Sequence, residues 1–206
     1  YLITEENWSL ISKINEDETL PISQEVIRSV AILGVATATP EQAKAWAESK
    51  GAATWFIDEI PTFWRVATAA GVDPIVAYAQ SALETGYGKF TGVVRESYHN
   101  PCGMKTTVGG ADSDITAHCQ FDSWETGIRA QVDHLALYAG APGYPKPVSA
   151  QGAHIVGNDY ESPDPRHFPY LFGLAEMVWE LGGKWAPSSQ YGENVAEKVL
   201  MIRKQR

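Results

Sequence analysis

The sequence predicts a mainly α-helical domain of the α+β class with one small β-hairpin, and three observations carry that prediction. Apolar residues recur at helical spacing in a series of stretches, each opened by a capping residue and closed by glycine. Only one segment, around residues 100–122, has the turn-centred pattern of a hairpin. With 206 residues and 44% hydrophobic content, the chain is long enough for one sizeable core and no more.

The elements follow in order. Residues 4–14 and about 22–32 carry two short apolar-periodic stretches separated by the acidic run NEDETLP. They predict an N-terminal helical arm or linker over residues 1–33, ahead of a single domain over 34–206. In ATPEQAKAWAESKG, Thr39 is the expected N-cap, Pro40 the first helical residue and Gln42 the partner in a capping box, with Gly51 as the stop. The next stretch, TWFIDEIPTFWRVATAAG, puts Ile57, Ile60, Trp64 and Ala67 on one face and is expected to bend at Pro61. Asp73 and Pro74 then open an alanine-rich apolar helix that runs to Gly86. After the hairpin, Ser123 caps a helix bearing Ile128, Val132 and Leu135, which stops by Gly140. Residues 141–169 are rich in proline and glycine and read as a functional loop or a wrapped surface arm. Two further helices are expected near 174–181 and 193–203.

Composition excludes several functions. The 25 acidic residues against 16 basic give a net charge of −9, which argues against nucleic-acid binding by a basic surface. An anionic polymer would have to be held by hydrogen bonds and ring stacking. No run approaches the ~18 apolar residues of a membrane span, and no leader of the basic-then-apolar kind is visible. The chain begins at Tyr1, so that says little about export. Cys102 and Cys119 allow either a disulfide across the hairpin or two buried thiols. A zinc site built from His99, Cys102, His118 and Cys119 has no recognised ligand spacing, so neither a metal nor any other cofactor is expected.

One residue stands out chemically. Glu84, in ALETGYGKF, lies near the end of an apolar helix, where burial and the negative end of the helix dipole both disfavour its charged form. That raises its pKa, as a general acid working near neutral pH requires. A helix ending in an acid, followed at once by a small β-lobe, is the plan of lysozyme-like folds, with a cleft between helical body and lobe.

QSALETGYGKF resembles the signature of the bacterial glucosaminidase family, glycoside hydrolase family 73, in which a helix ends in Ala-x-x-Glu-Ser/Thr-Gly-x-Gly. YHNPCGMK resembles that family's Asn-x-x-Gly-x-Lys entry to the hairpin, HCQFDSWETGIRAQVDHLALYAG its Ser-capped helix, and GGKWAPSSQYGENVAEKV its closing Tyr-plus-helix segment. These cover about residues 34–205. NPCGMK, HLALYAGAPGYP, DPRHFPYL and GGKWAPSSQYG look like a subgroup found in cell-wall hydrolases of Gram-positive bacteria and their phages.

The resemblance implies hydrolysis of peptidoglycan glycan strands after N-acetylglucosamine, by a monomeric autolysin or phage endolysin acting at the wall. Glu84 would be the acid, and Tyr191 would orient the substrate's acetamido group or stabilise the transition state. The second acid, where the family uses one, lies in the hairpin; Asp114 is the first choice and Asp112 the second, with substrate-assisted chemistry as the alternative. Tyr87, Phe121 and Trp124 are candidates for stacking on sugar rings, and Asn100 for a sugar contact or, more simply, for pinning a turn. His167 and His134 read as structural. A lytic transglycosylase, a muramidase and an inactive wall-binding module are the alternatives.

Overall fold

A computed structural model describes residues 22–205, so the predicted 4–14 stretch lies outside the described residues. Among those described, seven α-helices are arranged around one core: α1 (Gln24–Arg28), α2 (Pro40–Ser49), α3 (Thr54–Asp58), α4 (Ile60–Ala70), α5 (Pro74–Thr85), α6 (Trp124–Tyr138) and α7 (Tyr191–Arg203). The mainly helical α+β class is as the sequence predicts.

Local signals set most boundaries. The Thr39 hydroxyl accepts from Gln42 N at 3.2 Å and the Gln42 side chain accepts from Thr39 N at 2.9 Å, completing the capping box. Asp73 accepts from Ile75 N and Ser123 from Thr126 N, both as expected. The predicted bend near Pro61 is a break: α3 ends at Asp58 and α4 restarts at Ile60 with Pro61 in its first turn. Near 174–181 the expected helix is a single 3-10 turn, Val178–Leu181, because Gly182 and Gly183 follow directly and leave no room for a second turn.

The central element is α5, buried from Pro74 to Ala82 without interruption. A helix that is apolar all round belongs inside a core, and α5 packs between α4 and α7, with α6 against α4. Tyr78 anchors it: its ring stacks on Phe56 at 4.2 Å and its hydroxyl donates to the Phe56 carbonyl at 3.0 Å. Full burial of each such ring stabilises by roughly 1.5–3 kcal/mol. Ile27, Val30 and Ile32 are buried in the same core, so residues from the predicted arm pack onto the body. No helix among the described residues is long and apolar enough to cross a membrane.

The small lobe has its own cluster of Cys102, Met104, Cys119, Phe121, Ala130 and Ile155. Its antiparallel pairing is one bridge, Lys105 to His118, flanked by bonds from Cys119 N to Met104 O (2.9 Å) and Thr106 N to Ala117 O (2.8 Å). The regular sheet is instead a parallel pair, β1 (Gln120–Phe121) with β2 (His154–Ile155). The proline-rich segment supplies β2 and so wraps back onto the lobe. Gly127 allows α6 to press against the turn before the lobe, since a Cβ there would fall on the His99 carbonyl. Both cysteines are free thiols buried in the lobe, which takes the second of the two readings open to them.

Candidate active site

A cleft of about 510 Å³ separates the helical body from the lobe, within the ~300–1,000 Å³ common for small-ligand sites. Glu84 lines it from the last turn of α5. The helix stops just beyond, because Gly86 takes a left-handed conformation at the C-cap.

Glu84 is held from two directions. The Tyr191 hydroxyl, at the start of α7, donates to Oε1 at 2.5 Å, and the Trp185 indole N–H donates to the same oxygen at 3.2 Å. Both donors occupy Oε1, so a proton on this carboxyl resides on Oε2. Burial pushes the Glu84 pKa up to about 6, against the lowering by Tyr191 and Trp185, and Asp112 across the cleft adds a smaller rise. Gly192 lets Tyr191 come this close, since a Cβ at 192 would strike the Val178 and Trp179 carbonyls.

The two hairpin acids are placed differently. Asp112 lines the cleft rim, 94% exposed at its side chain, and pairs with Lys105 Nζ at 2.6 Å. That hydrogen bond and charge hold the Asp112 carboxyl below the usual range. Asp114 is not among the cleft residues; it caps the 3-10 turn Ile115–Ala117, accepting from Thr116 N at 2.9 Å and Thr116 Oγ1 at 2.7 Å. The two point apart because the chain there is a turn and a 3-10 cap and not a regular strand.

Of the four proposed substrate contacts, none is among the residues lining the cleft. Phe121 is buried in the lobe cluster. Tyr87, at a φ of +60°, turns its ring onto Trp46 (centroids 5.4 Å apart) instead of into the cleft. Trp124 stacks face to face on Trp55, 3.7 Å apart at 2°. Asn100 is wholly buried and pins the lobe: its amide donates to Met104 O (2.9 Å) and Cys119 O (3.0 Å), and its carbonyl accepts from Met104 N (2.8 Å). Asn100→Ala strands two backbone groups, Cys119 O and Met104 N, since Met104 O keeps its bond from Cys119 N, and we expect it to lower stability by about 2–4 kcal/mol. Urea unfolding measures this, and an unchanged midpoint would remove Asn100 from its structural role.

Two residues that the sequence did not single out, Trp185 and Arg166, also line the cleft, together with His134. Trp185 sits inside GGKWAPSSQYG, so the resemblance contained it without marking its contact with Glu84. His134 and Arg166 are part of the same lining. His134 lies edge-on to Trp185, 4.7 Å away, and donates through Nδ1 to the buried Asp164 at 2.7 Å. Asp164 also receives His167 Nδ1 at 3.0 Å and Arg166 N at 2.8 Å, while His167 Nε2 accepts from Lys146 N at 3.0 Å. His134 and His167 are thus bound into a structural knot that braces the proline-rich segment against α6.

A buried carboxyl with its pKa raised to about 6, set in a groove between a helical body and a small lobe, is the arrangement of a glycoside hydrolase of lysozyme-like fold. The chain belongs to the glucosaminidase family: the profile described as mannosyl-glycoprotein endo-beta-N-acetylglucosaminidase matches residues 60–200. A protein of Borreliella burgdorferi, described only as uncharacterized, is 32% identical over 131 residues, which is 64% of this chain and 54% of the relative. The chain therefore spans about half the length of that curated relative. No solved structure matches.

Proposed function

We propose that the protein hydrolyses the glycan strands of peptidoglycan, at the β-1,4 bond that follows N-acetylglucosamine, with Glu84 as general acid. The observation that carries this reading is the state of Glu84 itself: buried, with a pKa near 6, and with Oε1 fixed so that Oε2 presents the proton. Protonation of the leaving oxygen by such a group contributes ~10²–10⁴ in rate.

Asp112 is the second carboxylate, in place of Asp114. Two acids whose surroundings drive their pKa values apart are the usual sign of an acid and a base in one site. Here burial raises Glu84 while Lys105 lowers Asp112, so at about pH 6 and just below it Glu84 still carries a proton to donate while Asp112 is ionised and able to activate water. Tyr191 acts through Glu84 by fixing its orientation. Residues 34–206 form the catalytic unit, acting at the cell wall as an autolysin or endolysin.

Product chemistry tests the reading. Purified peptidoglycan digested by the protein, reduced with borohydride and analysed by mass spectrometry, should yield fragments ending in reduced N-acetylglucosamine. Anhydro ends would reassign the protein as a transglycosylase, reduced muramic acid ends as a muramidase, and absence of release as a binding module. The rate should also fall as pH rises through about 6, because the active form carries the Glu84 proton.

A further inference from the structure

We infer that Gln80 and Gln131, two wholly buried glutamines outside the cleft, are positioning residues that hold the Tyr191 hydroxyl proton on Glu84 through a one-way hydrogen-bond chain. The inference rests on the reading of Glu84 as the acid.

The chain starts at a group that cannot turn. The backbone carbonyl of Ala77, in α5, accepts from Gln131 Nε2 at 2.9 Å, and the other N–H of that amide donates to Gln80 Oε1 at 2.8 Å. Gln80 Nε2 then donates to Tyr191 Oη at 3.0 Å, and Tyr191 Oη donates to Glu84 Oε1 at 2.5 Å. Each link fixes the next. Flipping the Gln131 amide would set its oxygen against two acceptors, the Ala77 and Gln80 oxygens. With Gln131 fixed, Gln80 must present nitrogen to Tyr191. The tyrosine has one proton and its oxygen already accepts from Gln80, so that proton goes to Glu84.

The arrangement carries a cost that packing does not explain. Gln131 Oε1 is buried without a partner. A stranded buried polar atom is destabilising, whereas an apolar side chain of similar shape would avoid this. What the glutamine supplies, and Leu or Met could not, is direction. Without Gln131, the Gln80 amide is free to flip and offer its oxygen to Tyr191, which can then turn its proton away from Glu84.

Four variants and one label test this. In protein carrying ¹³Cδ-labelled glutamate, with the Glu84 signal assigned by Glu84→Gln, the carboxyl is titrated by NMR in wild type, Tyr191→Phe, Gln131→Met and the double variant. A donor to the charged carboxylate lowers its pKa, so losing that donor raises it. Tyr191→Phe should move the midpoint up by roughly one pH unit, the equivalent of one charge-assisted bond. Gln131→Met should move it the same way, and the double variant no further than Tyr191→Phe alone. The other titratable or charged groups lining the cleft, Cys102, Lys105, Asp112, His118, His134 and Arg166, are unchanged in every variant. A Gln131→Met midpoint equal to wild type, with only a lower melting temperature, would overturn the relay and leave Gln131 a packing residue. In wild type, the Gln80 and Gln131 side-chain amide signals should shift with the Glu84 midpoint; flat amide signals overturn the relay even if Gln131→Met does not fold. The titration needs no substrate, so its outcome is separate from that of the product analysis, and an active Glu84→Gln would sink the acid assignment alone.

Discussion

Glu84→Gln is expected to lower the rate of glycan cleavage about 10²- to 10⁴-fold while leaving the fold intact and, above pH 6, more stable than wild type. The two halves of this result have one cause. Gln keeps the shape of Glu and still accepts from Tyr191 and Trp185, so the geometry of the cleft survives, but it has no proton to give. On the stability side, the Glu84 pKa is raised from 4.5 to about 6 on folding, because burial penalises the carboxylate. A group whose pKa rises on folding stabilises below its unfolded pKa and loses that contribution as pH climbs through the folded value. Wild type therefore gives up about 2 kcal/mol between pH 4.5 and 7, and the Gln variant, which does not titrate, gives up none of it. Thermal unfolding of both proteins at pH 4.5 and 7.5 measures the difference. A variant that kept a tenth or more of the activity would remove Glu84 as the acid. One whose stability tracked wild type at both pH values would mean that the carboxyl is not under the strain its burial implies.

The same residue illustrates what the sequence could say. The position of Glu84 was legible because every signal for it is local: the Asp73 cap, the apolar run of α5 and the Gly86 stop lie within a few residues of one another. Its partners were less so: Tyr191 entered only through the resemblance and Trp185 was not marked, because both come from more than a hundred residues away and meet the acid only in the folded chain. One signal for Gln80 was present, a glutamine one turn before the acid on an otherwise apolar face, and it has meaning only once Tyr191 is known to approach. Asp112 and Asp114 could not be told apart from sequence, because the backbone there is a capped turn that sets Asp112 at the cleft and uses Asp114 as the cap. Tyr87 was close to the acid in sequence, yet its left-handed backbone sends the ring to Trp46. The β1–β2 pair had no local signature, since it joins the lobe to a segment that follows only after α6.

That returning segment is tied down in part by the buried carboxylate of Asp164, and Asp164→Ala is expected to cost about 3–5 kcal/mol, lowering the melting temperature by roughly 10 °C. Asp164 is wholly buried, and every group that contacts it is a donor: His134 Nδ1 and His167 Nδ1 on Oδ2, and Arg166 N on Oδ1. Burial alone would raise its pKa, yet the two histidines outweigh that and hold it below the usual carboxylate range. The all-donor surroundings make a sharper prediction for Asp164→Asn. An amide must turn its NH₂ toward at least one of three donors, so the near-isosteric change should lose most of what Ala loses. A depressed pKa contributes stability above the unfolded value and forfeits it as pH falls through the folded one, so both deficits should shrink on acidification below about pH 4. Activity should fall with stability, because His134 backs Trp185 and Trp185 holds Glu84. Asn behaving like wild type in calorimetry at pH 7 would mean that the histidines do not both donate to Asp164. Equal deficits at pH 7 and pH 3 would mean that packing of the segment, and not the buried charge, holds this wall of the cleft in place.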